Sequence, residues 1–337
     1  MITSPRAGIR VNRWMALAIM IAATTVDAAP KAELISARRI WDRAPHNAFT
    51  DLIRHKDVWY CVFREGQGHV SPDGALRVLR SRDGEAWISA ALLTSPTADL
   101  RDPKITVTPD GRLMLTGAAA VHPPADVKHQ TQVWFSRDGR TWSEPHPIGE
   151  PNSWLWRVTW HQDRAYGVGY RTDGPRGTRL YASRDGKTFK PHVASFFDRG
   201  YPNESSLVFL PDQTALCLLR RDGSAASAQL GRAEPPYTRW TWKDLGTRIG
   251  GPRMIRLADG RLLAAVRLHQ PRAHTGLCWV DAEAGTLTEF LALPSGGDTS
   301  YPGLVVHDGL LWVSYYSSHE AKTSIYLAKV KLPAGQP

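Results

Sequence analysis

Arg64, Arg171, Arg220 and Arg267 each close an apolar run of strand-like residues. Guanidiniums that converge in a partly closed pocket bind carboxylate, sulfate or phosphate through paired N–H donors. A second series opens apolar runs: Asp51, Arg101 with Asp102 and Lys104, Arg157, Glu204, Arg253 and Tyr301. Together the two series would line a cationic mouth holding carboxylates and one phenol. Such a mouth selects an anionic small molecule or the anionic end of a polymer. An arginine at a strand end is usually solvated, so the argument rests on whether the fold brings these distant stretches together.

The elements that must do this repeat along the chain. An apolar run, a three-residue turn and a second apolar run recur six times, with turn aspartates at Asp57, Asp110, Asp163, Asp212, Asp259 and Asp308 and spacings of 47 to 53 residues. Asp and Gly suit hairpin turns because they tolerate left-handed backbone or bond their own backbone. A third run follows each hairpin, rich in β-branched and aromatic residues. In the first three repeats it ends in Ser81-Arg-Asp-Gly, Ser136-Arg-Asp-Gly or Ser183-Arg-Asp-Gly, with an aromatic ring three residues on. A period near fifty with about four strands per unit predicts an all-β six-bladed β-propeller with four antiparallel strands per blade. The last blade lacks a fourth strand, and Ala32–Ala37 is expected to supply it and close the ring.

Composition bounds the rest. Residues 1–28 read as a secretory signal, with Arg6, Arg10 and Arg13, an apolar stretch over 14–25 and a small-residue cleavage pattern at Val26-Asp-Ala28. Residues 29–337 then form one propeller domain, expected to be periplasmic or secreted and monomeric, with no membrane span after signal removal. Signal loss removes three Arg and one Asp, lowering the formal charge from +10 to +8. No basic run with interleaved aromatics accompanies that charge, which argues against nucleic acid. Cys61, Cys217 and Cys278 sit inside apolar runs of three different blades and read as buried hydrophobes, not a disulfide framework. No zinc-like spacing and no phosphate-binding glycine loop is present, so no metal and no cofactor is expected.

The Ser-Arg-Asp-Gly phrases resemble the Asp boxes (BNR repeats) of sialidases, whose usual box is one residue longer; such boxes also occur in propellers without activity. A more specific resemblance runs from Asn203-Glu204 to Arg220, similar to the sialidase blade that carries a catalytic Glu and one arginine of a carboxylate-binding triad. Ser300-Tyr301-Pro-Gly is similar to the stretch with the sialidase nucleophilic Tyr. The resemblance implies an exo-glycosidase for an acidic, carboxylate-bearing sugar, retaining, with Tyr301 as nucleophile and Glu204 as its base. It further implies that nearby arginine charge favours the phenolate and that Arg220, with Arg267 or Arg253, holds the substrate carboxylate. Arg64, Arg101, Asp102, Arg157 and Asn47 complete the expected substrate-binding set.

The first blade departs from that pattern. The position of the sialidase triad's first arginine falls near Asn47-Ala48, and neither replaces a guanidinium. Arg64 could enter from the other side. The loop Arg64-Glu-Gly-Gln-Gly-His69-Val-Ser-Pro-Asp73 lacks the expected acid in its usual form, and His69 or Asp73 could take the acid/base role. This points to an acidic glycan other than ordinary sialic acid. A polysaccharide lyase acting on uronates and a non-catalytic carbohydrate-binding propeller use similar residue types and remain open.

Overall fold

The computed structural model describes residues 1–4, 31–224 and 226–334. All but the first four residues of the expected signal segment lie outside the described residues. From residue 31 onward the described chain is entirely strands and turns, arranged as six four-stranded antiparallel sheets. The innermost strands are His46–His55, Ala98–Val107, Ser153–His161, Pro202–Phe209, Gly250–Arg256 and Thr299–His307. Each packs against the innermost strands of the blades before and after it, so they ring a common axis. Second strands such as Val58–Gly66 and Leu262–Leu268 are buried on both faces, because each sheet is sandwiched between two others; this is why they read as near-continuous apolar runs. Cys61 and Cys217 lie in this layer and Cys278 in the third strand His274–Asp281, all three as buried free thiols.

The ring closes with both chain ends. Glu33–Trp41 pairs antiparallel with Ser324–Lys331, from Glu33 opposite Lys331 to Trp41 opposite Ile325, with register shifts after Leu34 and after Arg39. The closing strand is longer than the Ala32–Ala37 expected from sequence. It covers the last sheet's edge, which would otherwise offer unpaired N–H and C=O groups.

Every innermost strand breaks register near its start. The breaks fall between Ala48 and Asp51, Arg101 and Lys104, Leu155 and Val158, Pro202 and Ser205, Gly250 and Arg253, and Ser300 and Gly303. In each, two residues oppose one on the second strand, which is a β-bulge. Phe49, Asp102, Gly251 and Tyr301 occupy the first bulge position, all with positive φ. Three bulges carry proline in second place (Pro103, Pro252, Pro302), where the missing N–H costs the ladder nothing.

The three Ser-Arg-Asp-Gly turns share one hydrogen-bond pattern. Asp138 Oδ1 accepts from the Ser136 hydroxyl and from the N–H groups of Arg140 and Thr141, while Ser136 Oγ accepts the Gly139 N–H at 2.8 Å. Trp142 donates its indole N–H to the Gly139 carbonyl. The turns around Asp83 and Asp185 repeat the carboxylate and serine bonds. Each glycine lies on a side chain of the preceding blade's second strand: Gly84 on Trp312, Gly139 on Tyr60 and Gly186 on Met114. The turns therefore fasten neighbouring blades together. A Cβ on Gly139, at φ 70°, would stand 2.2 Å from the Tyr60 ring. Gly139→Ala is expected to lower unfolding free energy by about 1–3 kcal/mol in a urea melt, from strained backbone and displaced packing together.

Candidate functional site

The bulges of blades four and six deliver the central pair. Tyr301 Oη donates to Glu204 Oε1 at 2.6 Å, and Arg220 Nη1 lies 2.9 Å from Tyr301 Oη and 2.7 Å from Glu204 Oε2. Glu204 is the second residue of its bulge, and Arg220 stands opposite that bulge on the second strand. Both Tyr301 and Glu204 are buried. Gly251, from the neighbouring bulge, donates its N–H to Glu204 Oε2 at 2.8 Å. A Cβ there would lie 2.7 Å from the Tyr301 ring, and the backbone is at φ 54°, so glycine is what permits this approach. Tyr301 itself is held at φ 51°, sparsely populated for an aromatic residue, with its carbonyl fixed by the Thr50 hydroxyl at 2.8 Å.

The phenol is protonated in this arrangement. Burial, then the Glu204 charge, drives Tyr301 far above the ordinary tyrosine value, and Arg220 and Arg267 offset only part of this. The arginine charges therefore do not by themselves yield a phenolate, and proton transfer to Glu204 must accompany any reaction at this oxygen. The Asp102 carboxyl is also raised above its ordinary value. Burial is foremost, with Glu204 adding and Arg101 and Lys104 opposing. Its Oδ1 has no partner among the described residues.

A second cluster adjoins the first. Asp298 Oδ1 accepts from Arg267 Nη2 at 3.0 Å and from Tyr316 Oη at 2.7 Å; Oδ2 lies 2.7 Å from His69 Nδ1 and 3.3 Å from His46 Nε2. Phe49 separates the clusters, its ring centre 5.1 Å from both His69 and Tyr301. Burial would raise the Asp298 carboxyl, but bonds from His46, His69 and Tyr316, with the Arg267 charge, hold it far below the usual range. His46, His69 and Asp298 offer donor atoms within 4.8 Å of one another, a set that could hold a divalent cation. Arg267 already neutralises that carboxylate and Tyr316 donates a hydrogen bond to it, so the geometry fits an Asp298–His69 hydrogen bond better.

The expected site residues divide on inspection. Tyr301, Glu204, Arg220 and Arg267 come together, with His69, half exposed, beside Asp298. Arg101 lies at the same mouth, its guanidinium 5.7 Å from the Phe49 ring centre and 3.2 Å from the His69 carbonyl. Arg64 does not line the site. It is fully buried and spends its donors on Asp99 at 2.9 Å, the Gly68 carbonyl at 2.7 Å and Ser71, so it shapes the loop carrying His69. Asn47 is fully buried and bonds the backbone of Ala44 and Thr323, fastening blade one to blade six. Asp73 accepts the Gln67 N–H and closes the same loop. Arg157 pairs with Asp51 at 2.7 Å, and Arg253 follows its bulge in the same register as Asp51 and Lys104; neither bonds Tyr301 or Glu204.

The sequence alignment of blades also needs correction. Register puts Arg64, Ala118, Gly169, Arg221, Arg267 and Tyr316 opposite the residue before the bulge, so Arg171 lies two residues beyond that layer and Arg220 one residue before it, opposite the bulge itself. Phe49, Asp298 and Asp222 were missed. Asp222 binds Arg220 at 3.0 Å and sits in an Arg-Asp-Gly string that reads as a plain turn. The bulges themselves were signalled by Asp102-Pro103, Gly251-Pro252 and Tyr301-Pro302, since proline inside a buried strand run marks a bulge.

No protein-family model matches the chain, and no curated protein does. Solved structures share its fold. A protein of unknown function from Dyadobacter fermentans is 22% identical with TM-score 0.79, over 90% of this chain and all of that one. The α-L-arabinofuranosidase of Fusarium graminearum, solved with arabinobiose, is 13% identical with TM-score 0.68, over 88% and 98%. Trypanosoma rangeli sialidase is 11% identical with TM-score 0.71, over 90% and 60%. At these identities the likeness is one of fold.

Arg64→Met is expected to lower stability by about 3–5 kcal/mol, since it strands the buried Asp99 carboxylate; chemical denaturation measures it. Asp298 gives a pH test. Its folded-state value is depressed, so its stabilisation is complete above the ordinary carboxylate value, near pH 4, and fades as pH falls below it. Melting curves of Asp298→Asn should therefore lose less stability than wild type between about pH 4 and pH 2.

Proposed function

We propose that the protein is a retaining exo-glycosidase that removes a terminal carboxylate-bearing sugar, with Tyr301 as nucleophile, Glu204 as its base and His69 as acid/base. The observation that carries this reading is the buried 2.6 Å bond from Tyr301 to Glu204, with Arg220 on both. A carboxylate nucleophile would be repelled by a substrate whose own carboxylate adjoins the reacting carbon; a phenol is not. The fold likeness to a sialidase and an arabinofuranosidase supports glycoside chemistry on this scaffold.

In the first step Tyr301 Oη attacks the anomeric carbon as its proton passes to Glu204, and the glycosidic oxygen leaves with a proton from His69. In the second, water attacks that carbon and gives a proton to His69. The bond to Tyr301 breaks, and Tyr301 takes its proton back from Glu204. Asp298 fixes His69 through Nδ1 and leaves Nε2 for this work, whereas the Asp73 carboxylate is engaged in its own loop. Arg220 and Arg267 flank Gly250, where the absence of a side chain leaves room for the substrate carboxylate. Phe49 stands at the first-blade bulge, so two guanidiniums serve instead of three. That suits an ulosonic acid held less tightly by its carboxylate and more by its ring face.

Fluorogenic glycosides of 2-ulosonic acids, uronic acids and neutral arabinofuranose test the substrate. Turnover of an ulosonic glycoside is expected, with kcat falling on the order of 10³-fold or more in Tyr301→Phe. A fluorinated substrate should leave its sugar on Tyr301 by peptide mass spectrometry. Labelling of Glu204, turnover of the arabinoside alone, or an unsaturated product absorbing in the ultraviolet would each overturn the assignment.

A further inference from the structure

Beneath the Tyr301 ring the axis carries more positive than negative charge. Asp51, Lys104 and Arg253 follow their bulges in the same register, on blades one, two and five. Arg157 reaches from blade three to Asp51 Oδ2 at 2.7 Å, across the position of blade two. Among the described residues Asp51 pairs with Arg157 and makes no bond to Arg253. Glu204 is engaged above by Arg220 and the Gly251 N–H, and burial raises the Asp102 carboxyl above its ordinary value. Lys104 lies with Nζ 4.7 Å from the Trp156 ring centre and 5.9 Å from that of Tyr301, bonded only to the carbonyls of Pro103 and Thr50.

Three donors here have no partner among the described residues: Arg157 Nε, Arg253 Nε and Trp156 Nε1. Arg157, Lys104 and Trp156 are all more than nine-tenths buried. Buried donors and charges are seldom left unanswered, because each forfeits its hydration. Asp51 Oδ1 is unpartnered too, so the second arginine does not simply pair with it. The electrostatics agree with unanswered charge. Burial, then the Arg157 charge, lowers Lys104 to about 8 and Arg253 to about 10, both below their ordinary values.

We propose that the propeller axis binds one small monovalent anion, a halide such as chloride, between Arg157, Arg253 and Lys104, with the Trp156 N–H as a further donor. The Trp156 and Tyr301 rings lie against Lys104, and the donors are N–H groups, which suits a compact spherical anion more than a sugar carboxylate. It is separate from the carboxylate cradle at Arg220 and Arg267 and does not depend on the proposed reaction.

Chloride-free protein melted in sodium gluconate, chloride and bromide at one ionic strength tests it. Halide should raise Tm by about 3–6 °C with a saturating dependence, as binding to the native state alone requires. Arg253→Met should melt at or above wild type in gluconate, since it removes an unanswered cation, and should gain little from halide. Should that variant not fold, the wild-type titration and bromide-soaked crystals decide. An anomalous bromide peak beside Arg253 and Lys104 supports the site. Equal Tm in gluconate and halide, or a water with no anomalous signal at that place, overturns it.

Discussion

Two residues of each innermost strand must face one residue of its neighbour, and this mismatch governs the polar centre of the molecule. A regular strand would alternate its side chains between the two faces of its sheet. The extra residue bends the strand and turns Phe49, Asp102, Gly251 and Tyr301 out of that alternation, each in left-handed backbone. Strain of this kind persists only where surroundings enforce it. Here they do: Thr50 pins the Tyr301 carbonyl, Gly251 yields space, and Glu204 and Arg220 hold the phenol.

Charge in the interior follows a second rule. Several buried or half-buried guanidiniums are paired with a carboxylate: Arg64 with Asp99, Arg157 with Asp51, Arg220 with Glu204 and Asp222, Arg267 with Asp298. Such pairs repay desolvation only when their geometry is good and their remaining donors are bonded, and removing one partner is costly. Counting arginines in the sequence therefore overstates the free positive charge at the mouth. What is left for a ligand is the outward side of Arg220 and Arg267 and the unmatched charge on the axis.

The architecture was legible because it repeats. Six turn aspartates set the period, and the missing strand of the last blade pointed to the closing segment. Tyr301, Glu204, Arg220 and Arg267 could be grouped from that period alone. Arg64 and Asn47 could not be sorted, since a buried guanidinium or amide that bonds backbone looks the same in sequence as one facing a ligand. Asp298 was hidden for the opposite reason: it lies in Gly296-Gly297-Asp298, which reads as a loop and nothing more. Register shifts of one or two residues, invisible to pattern matching, decided between Arg220 and Arg171.

The strand that closes the ring has a bearing on how the molecule is made. Glu33 cannot pair until Lys331 has been synthesised, so the first strand of the chain waits for almost the last. Contacts this distant carry a large loop-closure cost and slow a folding reaction. Blades one to five can form behind the growing chain, yet Tyr301 belongs to the sheet completed at the end and meets Glu204 only then. A nascent chain thus holds most of the propeller without its central pair, and assembly of that pair reports that the closing sheet has formed.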